Sequence, residues 1–331
     1  PRDNIPLIWR TPVGCDWSGF FVEALGMAQA LDGKDVDMAI EIGRCSDEAL
    51  DALGPADADL IRRMQDEDRL RLITERALDH GVIVEHSPPC SYRSHVPGRP
   101  HRLVGRSMTE ADALDPAWAE CLEHSRVDEL WVPTAFHKGV FSRRSRFPAE
   151  RIETLPEAVD VRFFDPALAS LQPRKHSTMT FLSVFKWEDR KGWDVLLKAY
   201  WKEFKREDPV QLVLATWVPS WEWGPSDPEE RVRDYAKDEF GKRRRELARV
   251  EVVPSGQLTR AELRNLYASA DAFVLPSRGE GWGLPVAEAM AMGLPAIVSN
   301  FSGPTEFARD DTVRIWMRGR ERQRDRERKE R

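Results

Sequence analysis

No stretch of about 18 consecutive apolar residues occurs in the 331-residue chain, so nothing in it reads as a helix able to cross a bilayer; a peripheral membrane contact stays open. Cysteine is scarce. The four present, Cys15, Cys45, Cys90 and Cys121, stand far apart without a C-x-x-C pair, a spacing that indicates neither a zinc site nor a disulfide framework. Unpaired thiols, and with them the cytoplasm or another reducing compartment, are therefore expected. The chain opens on Pro1 with no signal peptide, so any targeting segment is expected to be missing from this sequence.

Excess positive charge is lacking too. The net charge is -6, and residues 314–331 hold nine basic and four acidic side chains, so the rest, with 41 basic against 52 acidic, stands at -11. Such a body is not expected to bind nucleic acid. The low-complexity end, 311–331, is expected to be disordered or a solvated helix.

What the chain does have is an alternation of apolar runs and helical segments, the pattern of parallel α/β sheets. In the first half, strands are expected at 5–9, 36–42, 82–87, 102–108 and 129–134, with helices at 19–31 and, as one long charged segment, 57–81. In the second half, strands are expected at 180–185, 211–216, 250–254, 272–276 and 296–300, with helices at 192–204, 229–249 and 259–270. The proline-flanked segment 156–166 and the polar stretch 172–177 mark a hinge, giving two domains, 1–165 and 166–310, ahead of the tail.

The most informative stretch is GEGWGLPVAEAMAMGLPAIVSN, residues 279–300. Gly279, Gly281 and Gly283 allow positive φ and close approach of a ligand to the backbone, and Pro285 suits the first turn of a helix, where its missing N–H costs nothing. Gly293 fits a left-handed helix cap, and Pro295 starts the next strand. The helix N-terminus offers N–H groups and a positive dipole end to an anion such as a diphosphate. Glu280 and Glu288 can accept hydrogen bonds from sugar or ribose hydroxyls.

This Glu-x7-Glu string resembles the donor-site signature of retaining, nucleotide-sugar-dependent glycosyltransferases of the GT-B fold, in the family that includes sucrose synthases and bacterial mannosyltransferases. The resemblance implies two Rossmann-like domains facing across a cleft, a nucleoside-diphosphate sugar as donor, an unassigned acceptor hydroxyl, and no further cofactor. The implied site residues are Glu280 and His86 at the chemistry, with Glu288, Gly281 and Gly283 on the donor. SVFKWEDRKGWDVLLKAY is similar to the family's phosphate-grip segment and implies Lys191 on the diphosphate, with Arg190 or Lys186 second, in place of a metal. FSGPTEF is similar to the glycine loop under the donor and implies Gly303 and Glu306, although a capping arrangement would explain both. PVGCDWSGFFVEAL, with Asp16, Ser18 and Gly19, resembles a divergent first glycine loop, and Glu110 and Asp112 lie in a further similar segment.

His86 ends an apolar run and is expected to face the cleft, though a lone histidine is as often structural. Trp217, Trp221 and Trp223 cluster after a strand; loop packing is the first expectation and a sugar-stacking platform the second. Family members continue past FSGPTEF with closing helices, so the C-terminal end is expected to be incomplete, and a truncated or catalytically impaired protein that binds a sugar nucleotide or a partner is the alternative function. An epimerase or phosphorylase of the same fold is a further alternative, and the pyridoxal-bearing lysine that a phosphorylase needs is not located.

Overall fold

The computed structural model describes residues 4–15, 18–43, 45–92, 101–170, 178–308 and 313–315. The first half runs β1 (Ile5–Arg10), α1 (Gly19–Leu31), β2 (Val36–Glu41), α2 (Asp47–Leu53), α3 (Pro55–Met64), α4 (Glu67–His80), β3 (Val82–His86), β4 (Arg102–Arg106), α5 (Pro116–His124), β5 (Glu129–Val132), α6 (Ala135–Arg144) and β6 (Ile152–Thr154). Its six parallel strands are ordered β2-β1-β3-β4-β5-β6. The second half runs β7 (Met179–Lys186), α7 (Trp193–Glu203), β8 (Val210–Trp217), α8 (Pro228–Phe240), β9 (Arg249–Pro254), α9 (Arg260–Ala268), β10 (Ala272–Leu275), α10 (Leu284–Ala291), β11 (Ala296–Ser299) and β12 (Val313–Ile315). These strands are parallel too, ordered β12-β11-β10-β7-β8-β9. The order reverses between β7 and β10, the kind of position where open α/β sheets bind ligands at their carboxyl edge.

Two compact units result. One holds Pro1–Ala169 with Gln257–Asn265 and Glu280–Leu284, and the other holds the intervening segments and the chain from Pro285 on. The apolar runs are continuous because both faces of the first sheet are covered. Leu7, Trp9, Met38 and Ile40 point into one cluster with Phe21, Leu25 and Ile61, while Ile8, Ala39, Ile83 and Leu103 point into the other with Leu130 and Phe141.

Several expectations are corrected. The long helix at 57–81 is two helices, because the Asp66 side chain accepts from Arg69 N at 2.9 Å and caps a new start. The helix expected to reach Arg249 stops at Phe240, where Gly241 takes a left-handed φ of 61°. β6 and α2, the latter capped by Ser46, were not anticipated. β12 stands where the solvated tail was expected to begin; 316–331 lie outside the described residues.

All four cysteines are paired, Cys15 with Cys45 and Cys90 with Cys121, each pair with Cα atoms 5.0 Å apart. Close spacing in sequence does not mark these pairs, because β1 and β2 are neighbouring parallel strands whose carboxyl ends bring Cys15 and Cys45 together across 30 residues. Pairing removes the ground on which a reducing compartment was expected.

A charged cluster is buried inside the first unit. Glu23, 3% exposed on the buried face of α1, lies 2.8 Å from Arg106 Nε and 3.1 Å from His86 Nε2, both of these side chains being fully buried. These are close polar contacts without good hydrogen-bond alignment. Burial pushes the Glu23 carboxyl up, but the Arg106 and His86 neighbours outweigh it and hold it at about 2.

Two outcomes follow from this packing. Thiol labelling of the unfolded, unreduced protein should modify none of the four cysteines, and replacing Cys15 and Cys45 together by Ser should cost about 2–4 kcal/mol in urea unfolding; labelling of all four thiols before reduction would refute the pairing. Glu23, with its carboxyl depressed to about 2, contributes stability that is present above its unfolded pKa and is lost as pH falls toward 2. Urea midpoints should record a loss on the order of 3 kcal/mol over that window in the wild type, and a correspondingly smaller loss in Glu23→Gln; equal slopes in the two proteins would show that the carboxylate is not linked to folding.

Candidate functional site

The loops leaving β7 and β10 meet at the strand-order reversal of the second sheet. After β7 the chain makes a 3₁₀ turn at Asp189–Lys191, and Gly192 then starts α7 in the left-handed region at φ 69°. A Cβ there would sit 2.1 Å from the Pro276 carbonyl oxygen, so both the conformation and the approach of the β10 loop require glycine.

Hydrogen bonds fasten these two loops together. Arg278 N donates to Arg190 O at 2.7 Å, Ser277 Oγ donates to the same carbonyl at 3.0 Å, and Arg190 Nη1 donates to Gly279 O at 2.8 Å. Arg278 Nη2 reaches both Asp194 carboxylate oxygens, at 2.8 and 2.6 Å, and its Nη1 bonds to Asp189 O. Arg190 also pairs with Glu188 at 3.1 Å. Arg278, Ser277 and Asp194 were not singled out from the sequence. Their signal was an arginine next to a glycine directly after an apolar strand, with an acid in the first turn of the facing helix.

The predicted donor residues fall as follows. Lys191 closes the 3₁₀ turn and is 9% exposed. Arg190 spends its guanidinium on Gly279 O and Glu188, so it shapes the loop. Lys186, at the end of β7, lies with its ammonium 5.5 Å from the Trp217 ring and 5.3 Å from the Trp221 ring. Glu280 is buried in the β10 loop. Among Gly279, Gly281 and Gly283 only Gly283 takes positive φ, 99°. Helix α10 then carries Glu288 and ends as expected, with Gly293 at φ 75° and Leu294 N bonded to Ala289 O at 3.0 Å.

Glu288 accepts a hydrogen bond from Tyr267 OH at 2.8 Å. Burial pushes the Tyr267 phenol well up, and the Glu288 charge pushes it further, so the hydroxyl keeps its proton and donates. In the β11 loop, Gly303 and Glu306 belong to a short 3₁₀ turn, Gly303–Glu306, and not to the start of an α-helix. The left-handed residue there is Ser302, at φ 58°, and its side chain makes no cap bond.

In the first unit, Gly19 opens α1 behind the Ser18 cap, whose hydroxyl accepts from Phe21 N at 3.3 Å, and nothing lies within 4 Å of a Cβ placed on Gly19. Asp16 lies outside the described residues. His86 does not face open space: it is 0% exposed, with Trp9 Nε1 donating to its Nδ1 at 3.2 Å, Glu23 at its Nε2 and the Phe20 ring 4.7 Å away. The indole N–H on Nδ1 leaves the ring proton on Nε2, toward Glu23. Glu110 and Asp112 stand in the loop between β4 and α5. Among the described residues no His, Cys, Asp or Glu cluster is arranged to hold a metal ion, and no helix is long and apolar enough to cross a membrane.

Comparison with known proteins agrees with this geometry. The model of the glycosyl transferases group 1 family matches residues 176–323. An uncharacterized glycosyltransferase of Methanocaldococcus jannaschii is 33% identical over 131 residues, which are 39% of this chain and 29% of that protein. A GDP-mannose-dependent alpha-(1-6)-phosphatidylinositol monomannoside mannosyltransferase of Mycobacterium tuberculosis is 30% identical over 194 residues, 54% of this chain and 46% of that protein. The chain thus spans less than half the length of these curated relatives. Among solved structures, HepE of Anabaena with UDP and glucose aligns with a TM-score of 0.65 at 13% identity, over 93% of this chain and 84% of that one. Sucrose-phosphate synthase of Thermosynechococcus elongatus aligns at 0.59 and 19% identity, over 91% and 82%. Residues 176–323 thus match the glycosyl transferases group 1 family, and the two parallel sheets have the GT-B fold.

Proposed function

We propose that the protein is a glycosyltransferase that moves a sugar from a nucleoside-diphosphate sugar to an acceptor hydroxyl with retention of anomeric configuration. The observation that carries this reading is the Glu280-to-Glu288 string, leaving β10 at the strand-order reversal, inside the family-matched segment and beside the fastened loop that bears Lys191. HepE, described with UDP and glucose, supports a nucleotide-sugar donor.

Each residue has a chemical task in this reading. The Glu288 carboxylate, with Tyr267 on one oxygen, accepts from ribose hydroxyls, and Glu280 accepts from a hydroxyl of the transferred sugar. Lys191 and the N-terminus of α10 meet the diphosphate, whose developing charge is greatest as the glycosidic bond breaks. Gly281, Gly283 and Gly303 let the backbone approach the donor, with Glu306 beside the last. The leaving diphosphate takes the acceptor proton on the same face of the sugar, so no protein nucleophile is required. His86, enclosed by Trp9, Phe20 and Glu23, acts by fixing the carboxyl end of β3.

Calorimetry against a panel of UDP- and GDP-sugars tests the site. Glu288→Gln and Lys191→Ala should each weaken donor binding by about 1–3 kcal/mol, as expected for charge-assisted hydrogen bonds. Unaltered affinity in both variants removes the site, and donor binding without transfer to any acceptor favours a binding protein over an enzyme. Transfer should also persist in EDTA, since Lys191 and backbone N–H groups meet the phosphate charge; activity abolished by EDTA and restored by manganese or magnesium would contradict this assignment.

A further inference from the structure

The loop 218–227 after β8 exposes large aromatic surface that the donor site does not use. Trp221 is 60% and Trp223 94% exposed, against the expectation that these side chains pack. Burying such rings is the ordinary way to recover their hydration cost, so two presented to water on one loop call for an occupant.

The loop is held in this form. Arg231 of α8 donates from Nη2 to Trp223 O at 2.8 Å and from Nε to Pro225 O at 2.6 Å, while Glu222 N closes a turn onto Pro219 O at 3.0 Å. At its base Trp217 meets Trp221 edge to face, with centroids 6.4 Å apart, and a Cβ placed on Gly256 would lie 3.5 Å from the Trp217 side chain at its nearest. The Lys186 ammonium is set over both rings. Thus two exposed indoles, a carboxylate at Glu222 and an ammonium at Lys186 stand on the carboxyl edge of the second sheet. Lys186 ends β7, the indoles and Glu222 follow β8, and β7 also borders β10 with its Glu280 loop.

Flat apolar faces flanked by a hydrogen-bond acceptor and a donor match a pyranose, whose C–H face stacks and whose hydroxyl rim bonds. Charge argues against a bilayer as the occupant. Of the four acidic side chains in residues 218–230, Asp227 and Glu229 pair with Arg233 and Arg244, and Glu222, between the two indoles in sequence, is the charge that an anionic headgroup surface would repel. We propose that Trp221, Trp223, Glu222 and Lys186 form a carbohydrate-binding platform that holds the saccharide chain of the acceptor; the word acceptor rests on the glycosyltransferase reading, the saccharide site does not.

Native affinity electrophoresis of the full chain through gels containing soluble mannan, dextran or xylan tests the platform. At least one polysaccharide should retard the wild type, with an apparent Kd about tenfold higher in Trp223→Ala and in Trp221→Ala, whose exposed positions leave the thermal melting point unchanged. No retardation in any gel, or undiminished retardation of the double variant, overturns the proposal. So does sedimentation with phosphatidylcholine–phosphatidylglycerol vesicles that Trp223→Ala abolishes, since the indoles would then be a membrane anchor. UDP- and GDP-sugar affinity measured on the same preparations separates the two readings. Nucleotide binding without retardation sinks the platform alone, and retardation without nucleotide binding supports the saccharide site while the donor reading fails.

Discussion

The bond from Arg278 N to the Arg190 carbonyl, with the paired grip of Arg190 on Gly279 O and of Arg278 on Asp194, is the constraint that fixes the two loops at the carboxyl edge of the second sheet. Loops at the carboxyl edge of a parallel sheet carry backbone groups with no ladder to join, and they hold a ligand geometry only if something else fixes them. Here each loop supplies the other's partners. Because both guanidinium groups are partly exposed, each bond contributes less than a buried charge-assisted one; their value lies in the conformational freedom removed before a ligand arrives. Gly192 is part of the same constraint, since any side chain there would push the Pro276 carbonyl away and open the latch.

The first unit solves a different problem, a charge inside a core. Arg106 and Glu23 are both inaccessible, and an isolated charge of either sign would be prohibitive there. Their 2.8 Å contact offsets the cost, and a further bond from Arg106 Nη1 to Leu155 O at 2.7 Å ties β4 to the chain leaving β6. Burial and the Glu23 charge push the neighbouring Glu157 carboxyl well up, which favours its protonated form. His86 accepts from the Trp9 indole on Nδ1 and turns Nε2 toward Glu23.

How far the sequence could be read depended on whether a signal was local. Two-sided burial makes strands such as β8 and β10 continuous apolar runs, and Gly293 followed by Pro295 marks a helix end from its own neighbours; both were legible. Asp66 as a cap was equally local, but it was masked by the unbroken charge pattern on either side. The cysteine pairs were not local at all, for their proximity follows from strand order, which no spacing rule encodes. Glu23 did leave a trace, a single acid on the apolar face that carries Phe21, Ala24 and Leu25, and such an acid on an apolar face is the mark of a buried partner elsewhere.

Cations show where motif reading stops. Lys186, Arg190, Lys191 and Arg278 are equivalent in sequence, all close to a strand end or a glycine, and each could be written onto a diphosphate. The geometry distinguishes their donors while leaving their charges in place. Arg190 and Arg278 direct N–H groups at loop carbonyls and carboxylates, and the Lys186 ammonium lies over indoles. A guanidinium committed in this way still raises the local potential, but it cannot reorient toward a phosphate without releasing the loop it holds. In the proposed donor site, substituting Arg278 would therefore act through the position of Gly279 and the residues that follow it, whereas substituting Lys191 would act by charge. The difference between a ligand and the scaffold that aims it lies in which atoms the donors already face, and that is written in the fold of the two loops.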